Sequence, residues 1–198
     1  DTLVSSKFKK LSELNGQKIG SSSRRRELQL KQFNRNIKVE SIRGNVDTRI
    51  KKLKKGIYDA IILSYTGIKY LNLDNEISEI FSTDQIIPSA GQGIIALQCR
   101  DDDSEIISVL EKINHKDTYK KAHIERNILK VLEGDCETAI GAHSTIEKNK
   151  ITVEAELFSL DGSQIFYEKK SGNVDMFKEI GIEVGNALKI KSNNSYKK

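Results

Sequence analysis

Tryptophan is absent from the 198 residues, and aromatic side chains make up only 6% of them. Single-stranded nucleic acids are held by stacking on exposed rings, so a platform for them is poorly supplied here. The two cysteines, Cys99 and Cys136, stand far apart with no CxxC pair. That argues against a disulfide scaffold or a structural zinc site and for a reducing, cytoplasmic setting. His115, His123 and His143 are scattered, with neither HxxxH nor HExxH spacing, so no metal site is expected. No apolar run approaches the roughly 20 residues of a membrane helix. The opening "DTLVSSKFKKLSEL" lacks the basic-then-apolar order of a signal peptide. Internal repeats and low-complexity segments are also missing.

What is present is the make-up of a globular protein, 37% apolar and 31% charged, long enough for one large or two small domains. The net charge of +5 favours acidic partners, nucleic acid or a small polyanion, without naming one. The first half alternates. "QKIGSSS" (17–23) reads as a strand entering a polar loop, followed by a helix to about Phe33. "IKVESIRG" (37–44) is a short strand, and "NVDTRIKKLKKG" (45–56) puts Val46, Ile50 and Leu53 at helical spacing before a glycine. "YDAIILSY" (58–65) is continuously apolar, as in a strand covered on both faces. This order predicts an α/β domain built on a doubly wound, mainly parallel sheet, with ligands beyond the carboxyl ends of its strands.

The second half changes character. "SAGQGIIALQCR" (89–100) reads as a glycine turn or hinge and an apolar strand in which Cys99 is a core residue. Helices are expected at about 103–113 and 117–132. Three strand-like runs follow from Ala139, separated by "EKNK" and "LDGS", and then a helix carrying Phe177, Ile180, Val184 and Leu188. This predicts a small α+β domain with a three-stranded antiparallel sheet and a frayed tail, "KSNNSYKK".

Two places could carry chemistry. In "GSSSRRRELQL" (20–30), Arg24, Arg25 and Arg26 stand where a strand meets a helix, with serine hydroxyls at 21 to 23 beside them. Helix starts attract anions, and arginine there is otherwise unfavourable. Arg43 and Gly44 end the next strand, and Arg49 lies one turn into the next helix, so guanidinium groups suited to carboxylates converge on one edge. The other reading is a set of solvated helix-terminal charges. The second place is Cys136, in the polar loop "EGDCETAIG". A polar setting suits a thiolate nucleophile better than a buried structural cysteine, although Asp135 and Glu137 would raise its pKa.

Four segments, "IGSSSRRRELQL", "SIRGNVDTRIKKLKKGIYDAIILSYTGIKYL", "IPSAGQGIIALQCR" and "AHIERNILKVLEGDCETAIGAH", follow one another as in porphobilinogen deaminase (hydroxymethylbilane synthase). The chain resembles that family over nearly its whole length. The resemblance implies a cytoplasmic transferase of porphyrin and heme biosynthesis that joins four porphobilinogen units into hydroxymethylbilane, releasing ammonia each time. It implies a dipyrromethane cofactor, held by a thioether at the position of Cys136. The pyrrole carboxylates would be bound by Ser21, Ser22, Ser23, Arg25, Arg26, Arg43, Gly44 and Arg49. Arg24 stands where arginine is unusual and is left out of that set.

The resemblance further divides the chain into a periplasmic-binding-protein-like α/β domain with hinge (1–93), a segment returning to the first domain of the family (94–113), and a cysteine-bearing α+β domain (114–198). The aspartate general acid belongs to that first domain, before residue 1, so no catalytic acid is assigned here and the isolated chain is expected not to turn over porphobilinogen. The first domain would be a partner in cis or in trans, the complete enzyme a monomer, and neither nucleic acid nor membrane a partner. Three positions depart from the pattern: Tyr70 where an arginine often joins the cleft, and Asp135 and Ala139 where glycine and proline are usual in the cysteine loop. The rival reading is a catalytically inactive module that binds anions or polycarboxylates.

Overall fold

The computed structural model describes residues 1–135 and 137–197. Its first half is a five-stranded sheet, β1 (Thr2–Val4), β2 (Lys18–Gly20), β3 (Lys38–Glu40), β4 (Ala60–Leu63) and β5 (Ile77–Ile80), in the order β3-β2-β4-β1-β5. Three helices connect them: α1 (Arg24–Phe33), α2 (Val46–Lys54) and α3 (Tyr65–Tyr70). Strand β2 runs parallel to β3 and β4, whereas β1 is antiparallel to both β4 and β5. The sheet is therefore mixed, with the expected parallel unit β3-β2-β4 forming one side of it and the antiparallel β1 and β5 the other. Ala60 to Leu63 are all buried because both faces are covered. Leu3, Ile19, Leu30 and Ile62 meet on one face, and Val4, Ile42, Ile50, Leu53, Ile61 and Leu63 on the other.

The second half holds α4 (Ser104–Ile113), α5 (Lys116–Leu132), β6 (Ile140–Glu147), β7 (Lys150–Phe158), β8 (Ile165–Asn173) and α6 (Ile180–Ser192). The three strands form an antiparallel sheet in sequence order. Ile151, Val153, Ala155 and Leu157 alternate inward and pack on Ile124, Ile128 and Leu132 of α5 and Ile180, Val184 and Leu188 of α6. The two helices approach closely because α6 offers glycine at the contact. A methyl group at Gly181 would overlap the Ile124 carbonyl, and one at Gly185 would lie 2.8 Å from Cβ of Val131.

Three expectations are corrected. Residues 94–100 form no strand, since a strand needs a neighbour to satisfy its N–H and C=O groups and none of the described residues lies alongside. Ile95 and Leu97 are consequently exposed and Cys99 is half-buried rather than in a core. The tail is docked, not frayed: the Tyr196 hydroxyl donates to the Leu132 carbonyl at 3.1 Å, and Leu160 N donates to Ser195 O at 2.8 Å. Tyr196 joins the core of the second half, which gives the tail the burial that a terminal segment needs to stay ordered. Finally, α6 begins at Ile180, after a single 3-10 turn over Val174–Met176, so Phe177 lies outside it.

Candidate functional site

The site begins where β2 ends. Ser22 Oγ donates to Ile42 O at 2.7 Å and accepts from Ile42 N at 3.1 Å, which stitches the loop after β2 to the loop after β3. Ser21 is buried, its N–H bonded to Glu40 O and its hydroxyl accepting from Ser23 N. Ser23 caps α1 by accepting from Arg26 N at 3.4 Å. The three hydroxyls expected to meet a ligand thus also build the loop.

The two central arginines are set apart by what they touch. Arg25 is 4% exposed, and its Nη1 donates to Ile87 O at 2.6 Å and Gln29 Oε1 at 2.9 Å. Its Nη2 reaches Asp1 Oδ2 at 2.7 Å. Arg26 points toward the end of β4, donating to Ile62 O at 3.4 Å and to Asp1 Oδ1 at 2.7 Å. Burial, and then the neighbouring Arg26 charge, brings Arg25 down to about 9; burial brings Arg26 to about 10. Both stay charged at neutral pH.

Around them, Gly44 takes a φ of +119°, where a methyl group would come within 2.7 Å of Thr48 Cγ2. Its carbonyl accepts from Arg49 Nε at 2.7 Å. Asn45 caps α2, accepting from Thr48 N and Oγ1. Partial burial and then the charge of Arg26 hold the Arg49 guanidinium below its ordinary pKa. Arg43 lies exposed in the same loop, and its carbonyl accepts from Lys52 Nζ at 2.8 Å. Tyr70, at the end of α3, is 76% exposed. So the carboxyl ends of the parallel strands carry Ser21, Ser22, Ser23, Arg26, Gly44 and Arg49 together, Arg43 at the rim and Arg25 behind.

Cys136 lies outside the described residues. Its flanks are clear. Glu133 ends α5 in the left-handed conformation, and Gly134 N donates to Leu129 O at 2.9 Å. The Asp135 carboxylate accepts from Glu137 N at 2.9 Å, Thr138 N at 3.0 Å and Thr138 Oγ1 at 3.1 Å. Those bonds, the one from Glu137 N first, hold its pKa below the usual value. Ala139 is buried against Leu28 of α1 and Phe158 of β7. A cavity of about 270 Å³ lies between the halves, lined by Ser22, Arg24, Glu137, Ala139, Phe158, Ser159, Leu160 and Tyr196. The serine–arginine loop and the loop of position 136 therefore face one space. Arg24 borders it, held by Glu27 at 2.8 Å and by Asp161 O at 3.3 Å.

Residues 1–108 match the family model for the dipyromethane cofactor binding domain of porphobilinogen deaminase, and residues 119–190 match that for its C-terminal domain. The chain belongs to the porphobilinogen deaminase family. It is 39% identical over 189 residues to the porphobilinogen deaminase of Desulforamulus reducens, covering 95% of this chain and 61% of that one. The Coxiella burnetii enzyme is 41% identical over 170 residues, covering 86% and 55%. That of Brevibacillus brevis is 38% identical over 190 residues, covering 95% and 61%. The chain thus spans between 55 and 61% of the length of these relatives.

Three residues of the site escaped sequence reasoning: Asp1, Gln92 and Glu125. Asp1 and Glu125 stand out in no motif, and Gln92 reads only as part of a glycine turn or hinge. Gln92 Nε2 donates to Asp1 Oδ1 at 2.8 Å, and Gly91 N donates to Glu125 Oε2 at 2.7 Å. The pattern "GQG" carried a signal, since a glutamine between two glycines of positive φ has little local reason to be there.

Proposed function

We propose that this chain supplies the carboxylate-binding cleft and the cofactor loop of a porphobilinogen deaminase, the transferase that assembles hydroxymethylbilane from four porphobilinogen units with release of ammonia. The observation that carries this reading is the shared space between the two halves. Ser22 and Arg24 line it from one side, Glu137 and Ala139 from the other.

The donor set suits a dipyrromethane, whose pyrroles each carry an acetate and a propionate. Among the described residues, the Arg43 guanidinium and the terminal nitrogens of Arg49 meet no protein acceptor, so each can receive a carboxylate in a bidentate pair. Cys136 would hold a dipyrromethane through a thioether, and that group would supply the pyrrole terminus for chain extension. Ser21, Ser22, Ser23, Arg25, Arg26, Arg43, Gly44 and Arg49 would bind or shape the cradle for its carboxylates. Guanidinium groups hold charge without giving up protons near neutral pH, so these residues orient and bind. Proton transfer to the departing amine falls to an aspartate in the family's first domain, not to Asp47, Asp84 or Asp135.

The segment 94–113 fits the same reading. Helix α4 buries none of its residues, and Ile106, Val109 and Ile113 are exposed along it, as are Ile95 and Leu97 before it. We assign this apolar surface to contact with the rest of the enzyme, in cis or in trans. The complete enzyme is read as a cytoplasmic monomer. No described helix is long and apolar enough to cross a membrane.

Intact mass of the purified chain, with a peptide map around Cys136, tests the reading. Added mass of two linked pyrrole units on that cysteine is expected when the chain is made within the complete enzyme. An unmodified thiol in that enzyme, with hydroxymethylbilane still formed, would refute the assignment. Formation of hydroxymethylbilane by the 198 residues alone would overturn the placement of the general acid outside them.

A further inference from the structure

The carboxylate of Asp1 is completely buried, 0% exposed, and three side chains converge on it. Arg25 Nη2 and Arg26 Nη2 donate at 2.7 Å each, and Gln92 Nε2 donates at 2.8 Å. Arg25 Nη1 is taken by Ile87 O and Gln29 Oε1, while its buried Nε meets no acceptor. Two guanidinium groups side by side repel each other, and the repulsion grows as water is removed. A fixed carboxylate between them relieves it. It also changes what the pair offers a ligand: two positive charges and one negative leave a single net charge, and Arg26, 13% exposed, is the member that can reach outward.

We propose that Asp1 sets the charge count of the carboxylate site, cancelling one guanidinium charge of the Arg25–Arg26 pair so that the pair takes one ligand carboxylate rather than two. The idea deepens the proposed function and rests on it. Asp1 touches no ligand in this scheme; it acts through Arg26 as a specificity-determining neighbour. Gln92 holds the carboxylate in place from the glycine turn, where Gly91 and Gly93 have φ of +73° and +83°. The purpose of such a device is discrimination. A polyanion with evenly spaced carboxylates fits a row of singly charged subsites, and a doubly charged subsite would hold one end too tightly for the chain to move along.

The sign of the expected effect follows from magnitudes. Asp1→Asn keeps the carbonyl acceptor and the shape but removes a unit charge on the order of 7 Å from a carboxylate bound outside Arg26. At an effective dielectric of about 20 that separation is worth tenfold or more in affinity, and roughly tenfold once salt screening is allowed. Loss of a hydrogen bond inside the network acts on the free and the liganded protein alike and largely cancels from binding.

The test is calorimetric titration of the 198-residue chain with propane-1,2,3-tricarboxylate and, separately, with propionate. Asp1→Asn is expected to bind propionate roughly tenfold more tightly and to gain more for the tricarboxylate, because the gain scales with ligand charge. Unchanged or weaker binding of the tricarboxylate overturns the proposal, as does an equal gain for both ligands. Gln92→Glu covers the case in which Asp1→Asn does not fold. It adds a negative charge from a half-buried turn position and is expected to weaken the tricarboxylate by a similar factor; no change overturns the proposal. Arg26→Ala separates the levels. If it leaves tricarboxylate affinity intact, the carboxylate site itself is misplaced; if it abolishes binding while Asp1→Asn gives no tightening, only the charge-count inference falls.

Discussion

Glu125→Gln should destabilise the protein by about 2 kcal/mol, although it exchanges one atom. Glu125 is buried on α5 and joins three parts of the chain. Its Oε1 accepts from Ser144 N at 2.9 Å and Ser144 Oγ at 2.8 Å, on β6; its Oε2 accepts from Gly91 N at 2.7 Å, in the glycine turn. All three partners are donors. A carboxylate can face donors at both ends, and an amide cannot. If the Gln oxygen stays with Ser144, its NH2 group confronts the Gly91 N–H, and a buried donor left without an acceptor costs about 1–3 kcal/mol. A neutral amide is cheaper to bury than a carboxylate, which offsets part of this. The balance is roughly 2 kcal/mol, or a Tm lower by about 4–8 °C for a chain of this size. Glu125→Ala strips all three donors and opens a hole, so it should cost about 3–4 kcal/mol.

Urea and thermal unfolding followed by circular dichroism give the equilibrium cost. Hydrogen exchange at Gly91 gives the local one, since that amide loses its acceptor in Glu125→Gln and should exchange faster than in the parent. A stability within about 0.5 kcal/mol of the parent, the usual spread of surface substitutions, together with unchanged Gly91 exchange, would refute the argument. It would mean that the turn is held by something other than this carboxylate.

Other outcomes follow from the same geometry. Gly181→Ala should cost about 3 kcal/mol or more in unfolding experiments, because its methyl group would overlap the Ile124 backbone carbonyl and α6 would have to move off α5. Tyr196→Phe should cost about 1 kcal/mol, the ordinary worth of the hydroxyl bond to Leu132 O, and a neutral result would mean that this bond does not help to hold the tail. Arg25→Ala should unfold the protein far more readily than Arg43→Ala, since the first leaves the buried Asp1 carboxylate short of a partner while the second trims an exposed side chain. The Asp161 carboxyl should titrate near 2 rather than 3.8, because the Ser159 hydroxyl and then Ser163 bond to its charged form. A depressed acid stabilises the folded state above its unfolded pKa. Any contribution to the 159–164 turn is therefore present above pH 3.8 and lost as pH falls through 2; a carboxyl resonance titrating at 3.8 would contradict it.

The parallel unit was legible because its signals are local. "YDAIILSY" is apolar throughout, Asn45 and Gly56 bracket a helix, and the serine–arginine loop falls where a strand gives way to a helix. The short strands β1 and β5 were not legible. Thr2–Val4 has three residues, too few for a period, and becomes a strand only because β4 and β5 flank it. The run 94–100 failed the opposite way: its composition asks for a strand, but pairing is decided by a neighbour, and no described residue provides one. The tail misled for a similar reason, since "KSNNSYKK" is polar except for the one ring that finds the core. In the site, residue types pointed to the arginine edge, but burial sorted the arginines. Nothing in "SRRRE" says that the middle one turns inward.

The departure at Asp135 shows how such sorting bears on the loop of position 136. A glycine and a proline at these positions would fix a turn through backbone preference, glycine by admitting positive φ and proline by locking its own. Here Asp135 does the work with its side chain, closing the turn on Glu137 N, Thr138 N and Thr138 Oγ1, and Ala139 anchors the far side by burial against Leu28 and Phe158. The two halves of the chain are also bound at points close to this loop, by Ala142 N to Pro88 O at 2.8 Å and by Gln29 and Gln32 to Glu156 at 3.0 and 3.1 Å. Residues 137–139 are thus held on one side by the Asp135 carboxylate and on the other by α1. Under the proposed thioether at Cys136, loosening the brace by Asp135→Ala should lower the fraction of chain that carries the added pyrrole mass while leaving Tm nearly unchanged; unchanged loading would contradict the brace.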